Sequence, residues 1–146
     1  MNDNIYPKLL VFLQFGLIGS MIFFSRGVLS SVPGIVIFFM GVVIGLWAIT
    51  HHQRGNFNIQ PKLKEGCQLV TTGAYNYIRH PMYTSVILMM LAVLVASPAF
   101  IELLLFLLLI GVLVLKAKRE EKLWCVHDAA YADYQKRTKL FIPYIL

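Results

Sequence analysis

The stretch GCQLVTTGAYNYIRHPMYTS, residues 66–85, lies between two long apolar segments. It contains three tyrosines, the triplet Arg79-His80-Pro81 and a turn-forming Thr-Thr-Gly at residues 71–73. The apolar segments on either side have almost no polar side chains of their own. This arrangement predicts that the apolar segments form a scaffold and that residues 66–85 carry the functional site.

The composition is typical of an integral membrane protein. Of the 146 residues, 58% are hydrophobic and 14% are charged, and the mean hydropathy is +0.71. Soluble domains are roughly half apolar and about a quarter charged. Because each helix in lipid satisfies its own backbone hydrogen bonds, a few packed helices suffice for one domain, predicted here over residues 1–146. The net charge of +6 comes from bases that flank apolar spans, so it does not indicate nucleic-acid binding.

The predicted fold is an all-α integral membrane protein with four transmembrane helices. Pro81 suits the first turn of the third helix, and Ser97 and Pro98 suit the N-cap and first turn of the fourth. The third and fourth helices are therefore predicted to form a tight hairpin. Gly41 and Gly45 form a small-xxx-small pair that favours close approach of another helix. The predicted spans are about 7–24, 33–50, 81–96 and 98–116.

Basic residues set the predicted orientation. Of thirteen Lys and Arg residues, eleven lie in the middle loop or from the end of the fourth span onward, and only Arg26 lies in a connection on the other side. Positive residues concentrate on the cytoplasmic side of membrane proteins. Both termini, the loop 51–80 and the tail 117–146 are therefore predicted to be cytoplasmic, in a multi-pass protein of the cell inner membrane.

The tail is predicted to continue the fourth span as a cytosolic helix, because KAKREEKLWCVHDAAYADYQKRT (116–138) contains no helix breaker. At 100° per residue, an acid, a histidine and three aromatic residues fall on one arc of roughly 100°. The alternative interpretation is an amphipathic helix whose aromatic residues anchor at lipid headgroups. The residues on the arc are Glu120, Leu123, Trp124, His127, Tyr131 and Tyr134.

The stretch 66–85 and the tail helix, both rich in polar and aromatic residues, are therefore predicted to meet at the cytoplasmic end of the helix bundle. Small-molecule sites are usual at such positions. Aromatic rings suit the face of an adenine, main-chain groups of a turn suit its polar edges, and a carboxylate suits hydroxyl or amino groups. The chain has no phosphate-binding glycine loop, Ser-His-Asp arrangement or HExxH motif. The pair His51-His52 lacks further ligands at helical spacing, and Cys67 and Cys125 form no CxxC, so neither a metal site nor a disulfide is predicted.

The motif GAYNYIRHPMYTS (73–85) is followed by REEKL (119–123), AAYADYQKRT (129–138) and FIP (141–143). This combination resembles the isoprenylcysteine carboxyl methyltransferase family and its bacterial relatives, with a weaker likeness to membrane phospholipid N-methyltransferases. The resemblance covers about Gln60 to Pro143. It implies that S-adenosyl-L-methionine binds in a cytosol-facing pocket roofed by the loop and the C-terminal helix, and that a lipophilic substrate enters from the membrane.

Carried over position by position, the resemblance implies a set of cofactor residues. The tail contributes an acid, which is Glu120 or Glu121, and the helical face favours Glu120. The family's substrate-binding arginine lies four residues before this acid, where this chain has Lys116, a point charge; Arg119 is the alternative. The other implied cofactor residues are Gln60, the main chain of Cys67, Gln68, Leu69 and Val70, then Tyr75, His80, Pro81, Met82 and Tyr83.

The resemblance thus predicts an S-adenosylmethionine-dependent membrane methyltransferase. The first hypothesis is carboxyl O-methylation of a lipophilic, isoprenylcysteine-like substrate. Lysine in place of the arginine leaves N-methylation of a phospholipid or a small amine open. A non-catalytic membrane scaffold is the alternative outside the enzymes, and it predicts no cofactor binding. The predicted partners are the lipid bilayer and a lipophilic small molecule.

Overall fold

The computed structural model describes residues 5–51, 60–63 and 66–143. Within these residues the chain forms α-helices and two short 3-10 turns but no strand, which confirms the predicted all-α class for this part of the chain. Parts of the predicted loop, residues 52–59 and 64–65, lie outside the described residues. The helices are α1 (Ile5–Phe24), α2 (Val32–His51), α3 (Pro81–Ala96), α4 (Phe100–His127) and α5 (Tyr131–Arg137), and the 3-10 turns are Val28–Ser30 and Gly73–Asn76.

Three of the described helices, α1, α2 and α4, are long and apolar enough to cross a membrane. Helix α3 is apolar but has only 16 residues. At 1.5 Å per residue it is about 24 Å long, shorter than a hydrocarbon core of about 30 Å. An all-α membrane protein is therefore confirmed, whereas the four complete spans stay a prediction.

The connection between α3 and α4 differs in detail from the predicted one. Helix α3 begins at Pro81 as predicted, because proline at the first position loses no helical hydrogen bond. The prediction that Ser97 and Pro98 start the fourth helix is wrong. The Ser97 N–H donates to the Val93 carbonyl and ends α3, while Ala99 is the N-cap of α4. The connection is nevertheless short, residues 97–99.

The helices pack mainly in two pairs, α2 along α3 and α1 along α4. Although α3 and α4 are consecutive, they contact each other less extensively than they contact these partners. The core forms among α1, α3 and α4 and includes Met21, Met90, Leu109, Leu113 and Phe141. Because Phe141 follows α5, the tail takes part in closing the core.

Two glycines let α2 approach α3 closely. A Cβ added at Gly41 would lie 2.9 Å from Met89 Cγ and 3.0 Å from the Ser85 carbonyl oxygen, and one at Gly45 would lie 2.6 Å from Ser85 Oγ. The Ser85 hydroxyl donates to the Gly41 carbonyl at 2.7 Å. The small-xxx-small pair therefore forms a helix contact, as predicted.

We expect Gly41→Ala to destabilise the protein, because the added methyl meets the backbone of α3 as well as a side chain. A cost of about 1–3 kcal/mol is typical of overpacking. Gly111→Ala is the matched control, since nothing lies within 4 Å of a Cβ at that position of α4. Thermal unfolding in detergent micelles measures both. Equal midpoints for the two variants would contradict the packing described here.

The turn at residues 73–76 docks the loop on the end of α2. Gly73 has a φ of +61°, which favours glycine, and a Cβ there would lie 2.4 Å from Cγ of the His51 ring. One turn earlier on α2, Trp47 packs against Tyr77 with ring centroids 6.2 Å apart. Glycine is therefore required at residue 73 by both backbone conformation and space.

Helix α4 continues past its apolar part, as predicted, but it ends at His127. Asp128 has an extended backbone, and its carboxylate accepts a hydrogen bond from the Ala130 N–H at 2.9 Å. Such a local turn competes with the helix. The prediction of one unbroken helix through Tyr134 is therefore wrong, because Asp128 ends it without a proline or glycine.

The segment after α5, residues 138–141, is called the strap. It runs beside the segment that precedes α3, where Ile78 and Lys139 form an isolated parallel bridge. The Arg79 N–H donates to the Lys139 carbonyl at 2.7 Å, and the Lys139 N–H donates to the Tyr77 carbonyl at 3.2 Å. The strap thus holds the tail on the Arg-His-Pro triplet.

Candidate active site

A cavity of about 370 Å³ lies among α1, α3, α4, the loop and α5. This volume is within the roughly 300–1,000 Å³ usual for small-molecule sites. One part of the cavity lies between the apolar segments of α1 and α3. Its lining includes Phe15, Ile18 and Val86. The remaining lining is largely polar and aromatic, so the cavity suits a molecule with one lipophilic part and one polar part.

The cavity brings together most of the predicted site residues. Of the predicted cofactor residues, Gln68 and Glu121 do not line the cavity. Of the two predicted substrate residues, Lys116 lines the cavity and Arg119 does not. The predicted residues that do line the cavity are Gln60, Cys67, Leu69, Val70, Tyr75, His80, Pro81, Met82, Tyr83, Lys116 and Glu120.

His80 lies at the centre of the polar part of the site. A residue before proline is disfavoured in a helix, so His80 precedes α3 as its N-cap, and it is buried. Its Nδ1 lies 3.4 Å from Glu120 Oε2, and its Nε2 lies 3.6 Å from Glu121 Oε1. Two consecutive acids of α4 therefore flank one imidazole.

The acids alter the titration of His80. Burial lowers the pKa of His80, but attraction by Glu120 and Glu121 outweighs it and holds the pKa above its ordinary value of 6.5. Burial raises the pKa of Glu121, but His80 and Arg79 outweigh it and hold the pKa below 4.5. The His80 contribution to stability is lost as pH rises through its raised pKa, and the Glu121 contribution is lost as pH falls through its lowered pKa. Both are therefore present in full between pH 4.5 and 6.5.

Arg79 connects Glu121 to the tail. Its Nε donates to the Glu121 carboxylate, and its Nη1 donates to the carbonyls of Thr138 at 2.5 Å and Gln135 at 3.3 Å. A guanidinium suits this position because it presents several donors in one plane. Glu121 is therefore the counter-charge of a residue that holds α5 and the strap, and it lies off the cavity wall.

Glu120 faces the cavity together with Tyr83 and Lys116. The Tyr83 hydroxyl donates to the Glu120 carboxylate, and Lys116 Nζ lies 5.1 Å from the centre of the Tyr83 ring, a cation–π distance. Lys116 and Glu120 are four residues apart on α4, so they lie on one face of the helix. The cavity thus carries an ammonium nearer the apolar part of α4 and a carboxylate one turn further out.

Gln14 completes this group and is absent from the predicted site. Its Oε1 accepts a hydrogen bond from Lys116 Nζ at 2.5 Å, and its side chain is buried on α1. A single amide side chain in an otherwise apolar helix indicates a hydrogen bond to another helix, because polar side chains within membrane helices commonly form such bonds. Its partner lies 102 positions away, so no local pattern identifies the pair.

Arg119 points to a different neighbour. Its guanidinium carbon lies 5.5 Å from the centre of the Tyr6 ring on α1. Arg119 thus joins the polar ends of α1 and α4. Of the two basic candidates, only Lys116 is placed to contact a molecule in the cavity.

Helices α4 and α5 supply an aromatic wall. The rings of Trp124 and Tyr131 stack with centroids 6.0 Å apart, and Tyr134 lies 5.7 Å from Tyr131. The Tyr134 hydroxyl donates to the Tyr75 carbonyl at 2.6 Å, which joins α5 to the loop. All three predicted aromatic residues of the tail therefore line the cavity, although two of them lie beyond the break at Asp128.

Cys67 of the loop contacts the end of α4, with its Sγ 3.7 Å from His127 Nε2. Neither this pair nor any other part of the described chain forms a group of three or more His, Cys, Asp or Glu side chains able to hold a metal ion. His52, of the pair considered above, lies outside the described residues. The two cysteines are free thiols.

The sequence matches the model of a known protein family. The sequence model of the PEMT family, described as phospholipid methyltransferase, matches residues 29–128, more than half of the chain. The chain belongs to the phospholipid methyltransferase family. No curated protein matches it.

Membership of the phospholipid methyltransferase family implies a membrane methyltransferase. This agrees with the broader part of the resemblance described above, while the narrower assignment to isoprenylcysteine carboxyl methyltransferases stays a prediction. The matched segment includes the loop, Lys116 and Glu120. It leaves out Gln14 of α1 and the aromatic residues of α5, which also line the cavity.

Proposed function

We propose that the protein transfers the methyl group of S-adenosyl-L-methionine to a lipophilic acceptor that reaches the cavity from the bilayer. The observation that carries this proposal is the lining of the cavity, which continues from apolar residues to an ammonium, a carboxylate and aromatic rings. Family membership supports methyl transfer. The one-sided distribution of bases supports a cytoplasmic site, with both termini on the same side of the inner membrane.

The residues present fit this cofactor. The rings of Tyr75 and Trp124 suit an adenine face, the main chain of residues 67–70 suits its polar edges, and Glu120 suits hydroxyl or amino groups. His80 and Tyr83 hold the Glu120 carboxylate in place. S-adenosylmethionine supplies an electrophilic methyl group on a sulfonium when it is bound.

The protein's part in such a reaction is to position the acceptor and to exclude water. Lys116 is 1% exposed, and its ammonium is suited to an anionic group of the acceptor. A carboxylate acceptor is ionised at neutral pH and needs no base. Carboxyl O-methylation of an isoprenylcysteine-like substrate is therefore the first candidate reaction.

N-methylation of a phospholipid or small amine is the second candidate, and the spacing of Lys116 and Glu120 favours it. Outward from its apolar part, the cavity presents an ammonium and then a carboxylate. A zwitterionic phospholipid presents acyl chains, a phosphate and then an amine in the same order. The amine must lose its proton before it attacks, and Glu120 is placed to accept that proton.

Calorimetric titration of the purified protein with S-adenosylhomocysteine tests the proposed function. We expect one binding site per chain. A membrane scaffold without catalytic activity predicts no heat of binding, and that result would end the proposal.

Lys116→Met is expected to leave the affinity for S-adenosylhomocysteine nearly unchanged and to lower turnover roughly ten- to hundredfold, the effect of a lost charge-assisted contact. The matched control is Lys118→Met, because Lys118 is exposed on the same helix. Turnover is measured with an isoprenylcysteine analogue and with phosphatidylethanolamine, which separates the two candidate reactions. A large loss of cofactor affinity in Lys116→Met would instead assign Lys116 to the cofactor.

A further inference from the structure

A second cavity of about 190 Å³ lies between the loop and the end of α5. It shares Tyr134 with the larger cavity, but none of its other lining residues contributes to that cavity. Every residue of its lining carries a polar side-chain group: Thr71, Asn76, Tyr134, Arg137 and Thr138. This lining differs from that of the larger cavity, where apolar and aromatic residues are in the majority.

We propose that this second cavity binds a phosphate group, presented by an anionic lipid headgroup or by a free phosphate ester. Arg137 offers a planar set of N–H donors from α5, a geometry that suits phosphate oxygens. Asn76 and Thr71 offer an amide and a hydroxyl from the loop. An anion between them is approached by donors from two separate elements.

Two of the residues that line the second cavity are held by hydrogen bonds to main-chain carbonyls. Thr138 is buried, and its hydroxyl donates to the Tyr134 carbonyl at 2.7 Å. The Tyr134 hydroxyl donates to the Tyr75 carbonyl at 2.6 Å. The three exposed lining residues, Thr71, Asn76 and Arg137, are therefore the proposed donors to the anion, and the two buried ones hold α5 in place beside them.

The positive charge of Arg137 is not neutralised within the described part of the chain, where it forms no ion pair. The nearby acid of α5, Asp133, pairs instead with Lys136 at 2.8 Å. Arg137 Nε donates to the main-chain carbonyl of Asp133 at 3.4 Å. A cationic group beside a polar cavity is suited to an external anion.

The cavity also lies close to the level expected for lipid headgroups. Asn76 directly precedes Tyr77, whose ring packs against Trp47 at the end of α2. Tryptophan and tyrosine concentrate at the membrane interface. A headgroup phosphate is therefore one accessible source of the anion, and a soluble phosphate ester is the other.

Calorimetric titration of the whole protein in neutral detergent tests the site with two probes, glycerol 1-phosphate and short-chain phosphatidylglycerol. Arg137→Gln is expected to weaken binding by roughly tenfold or more, the effect of losing a charge-assisted hydrogen bond. Lys136→Gln is the matched control: it removes the same charge from the adjacent residue, which lies outside the cavity. It is expected to change binding by less than about twofold, the small effect typical of an exposed ion pair. Thr71→Val tests the loop side without a change of charge and is expected to weaken binding as well.

Binding of glycerol 1-phosphate would show that a free phosphate ester is enough to occupy the site. Binding of phosphatidylglycerol but not of glycerol 1-phosphate would show that the ligand is a lipid headgroup. The proposal is overturned if neither probe binds the unaltered protein. It is also overturned if Arg137→Gln binds as the unaltered protein does, which would place the lipid in the larger cavity. Equal losses in Arg137→Gln and Lys136→Gln would show general attraction to a basic surface and would overturn it too.

Discussion

A chain that ends at Ala129 is expected to lose all measurable binding of S-adenosylhomocysteine while its apolar helices still insert into the membrane. The truncation removes Tyr131 and Tyr134 from the cavity wall, and it removes the strap that pairs with residues 77–80. None of the helices that are long and apolar enough to span a membrane is shortened. Calorimetric titration measures the loss, and recovery of the chain from the membrane fraction checks insertion.

The matched control is a chain that ends at Ile142. It keeps α5 and the strap, including the Phe141 carbonyl that accepts a hydrogen bond from the Thr84 hydroxyl at 2.8 Å, and it loses the exposed Pro143. We expect this chain to bind S-adenosylhomocysteine normally. Normal binding by the chain that ends at Ala129 would show instead that the tail only anchors the protein at the membrane interface.

Glu120→Gln is expected to weaken S-adenosylhomocysteine binding by roughly 1.5–3 kcal/mol, the range for hydrogen bonds to charged groups. Glutamine keeps the shape of the side chain but removes the charge that faces the cavity. The Tyr83 hydroxyl then donates to a neutral amide oxygen instead of a carboxylate, and one of the two acids beside His80 is lost. Titration calorimetry at a fixed pH measures the change.

Glu121→Gln separates the effect of charge in the cavity from the effect of charge near it. Glu121 lies next in sequence but off the cavity wall, and it pairs with Arg79. We expect this variant to lower the thermal unfolding midpoint, since Arg79 loses its counter-charge, and to change cofactor affinity little. A silent Glu120→Gln beside a damaging Glu121→Gln, both judged by affinity, would refute the assignment of Glu120.

Helix ends that depend on one residue's backbone chemistry were predictable from the sequence. Proline at residue 81 decides the start of α3, and the predicted and observed starts agree. Asp128 was not predictable as a stop, because aspartate is tolerated inside helices and its own side-chain turn ends α4. Ser97 shows the same difficulty, since a serine beside a proline suits the end of one helix as well as the start of the next.

Residues that line the cavity were predictable where the family resemblance supplied their positions, and helical spacing explains why two of them fall together on α4. Lys116 and Glu120 share a face of α4 because they are four residues apart, and the helix is continuous between them. Gln14 and Arg137 were not predictable, because their importance depends on packing between elements far apart in the sequence. Arg119 was a candidate because the resemblance implies an arginine near the acid, and its contact with Tyr6 depends on how α1 lies beside α4.

Ribosomal synthesis delivers α5 and the strap after all the helices that are long and apolar enough to span a membrane. The hydrogen bonds of Arg79 and His80 with Lys139 and Leu140 therefore form only after the strap has been synthesised. A chain that stalls before Tyr131 has therefore completed every described helix long enough to span a membrane, yet it lacks two residues of the cavity wall.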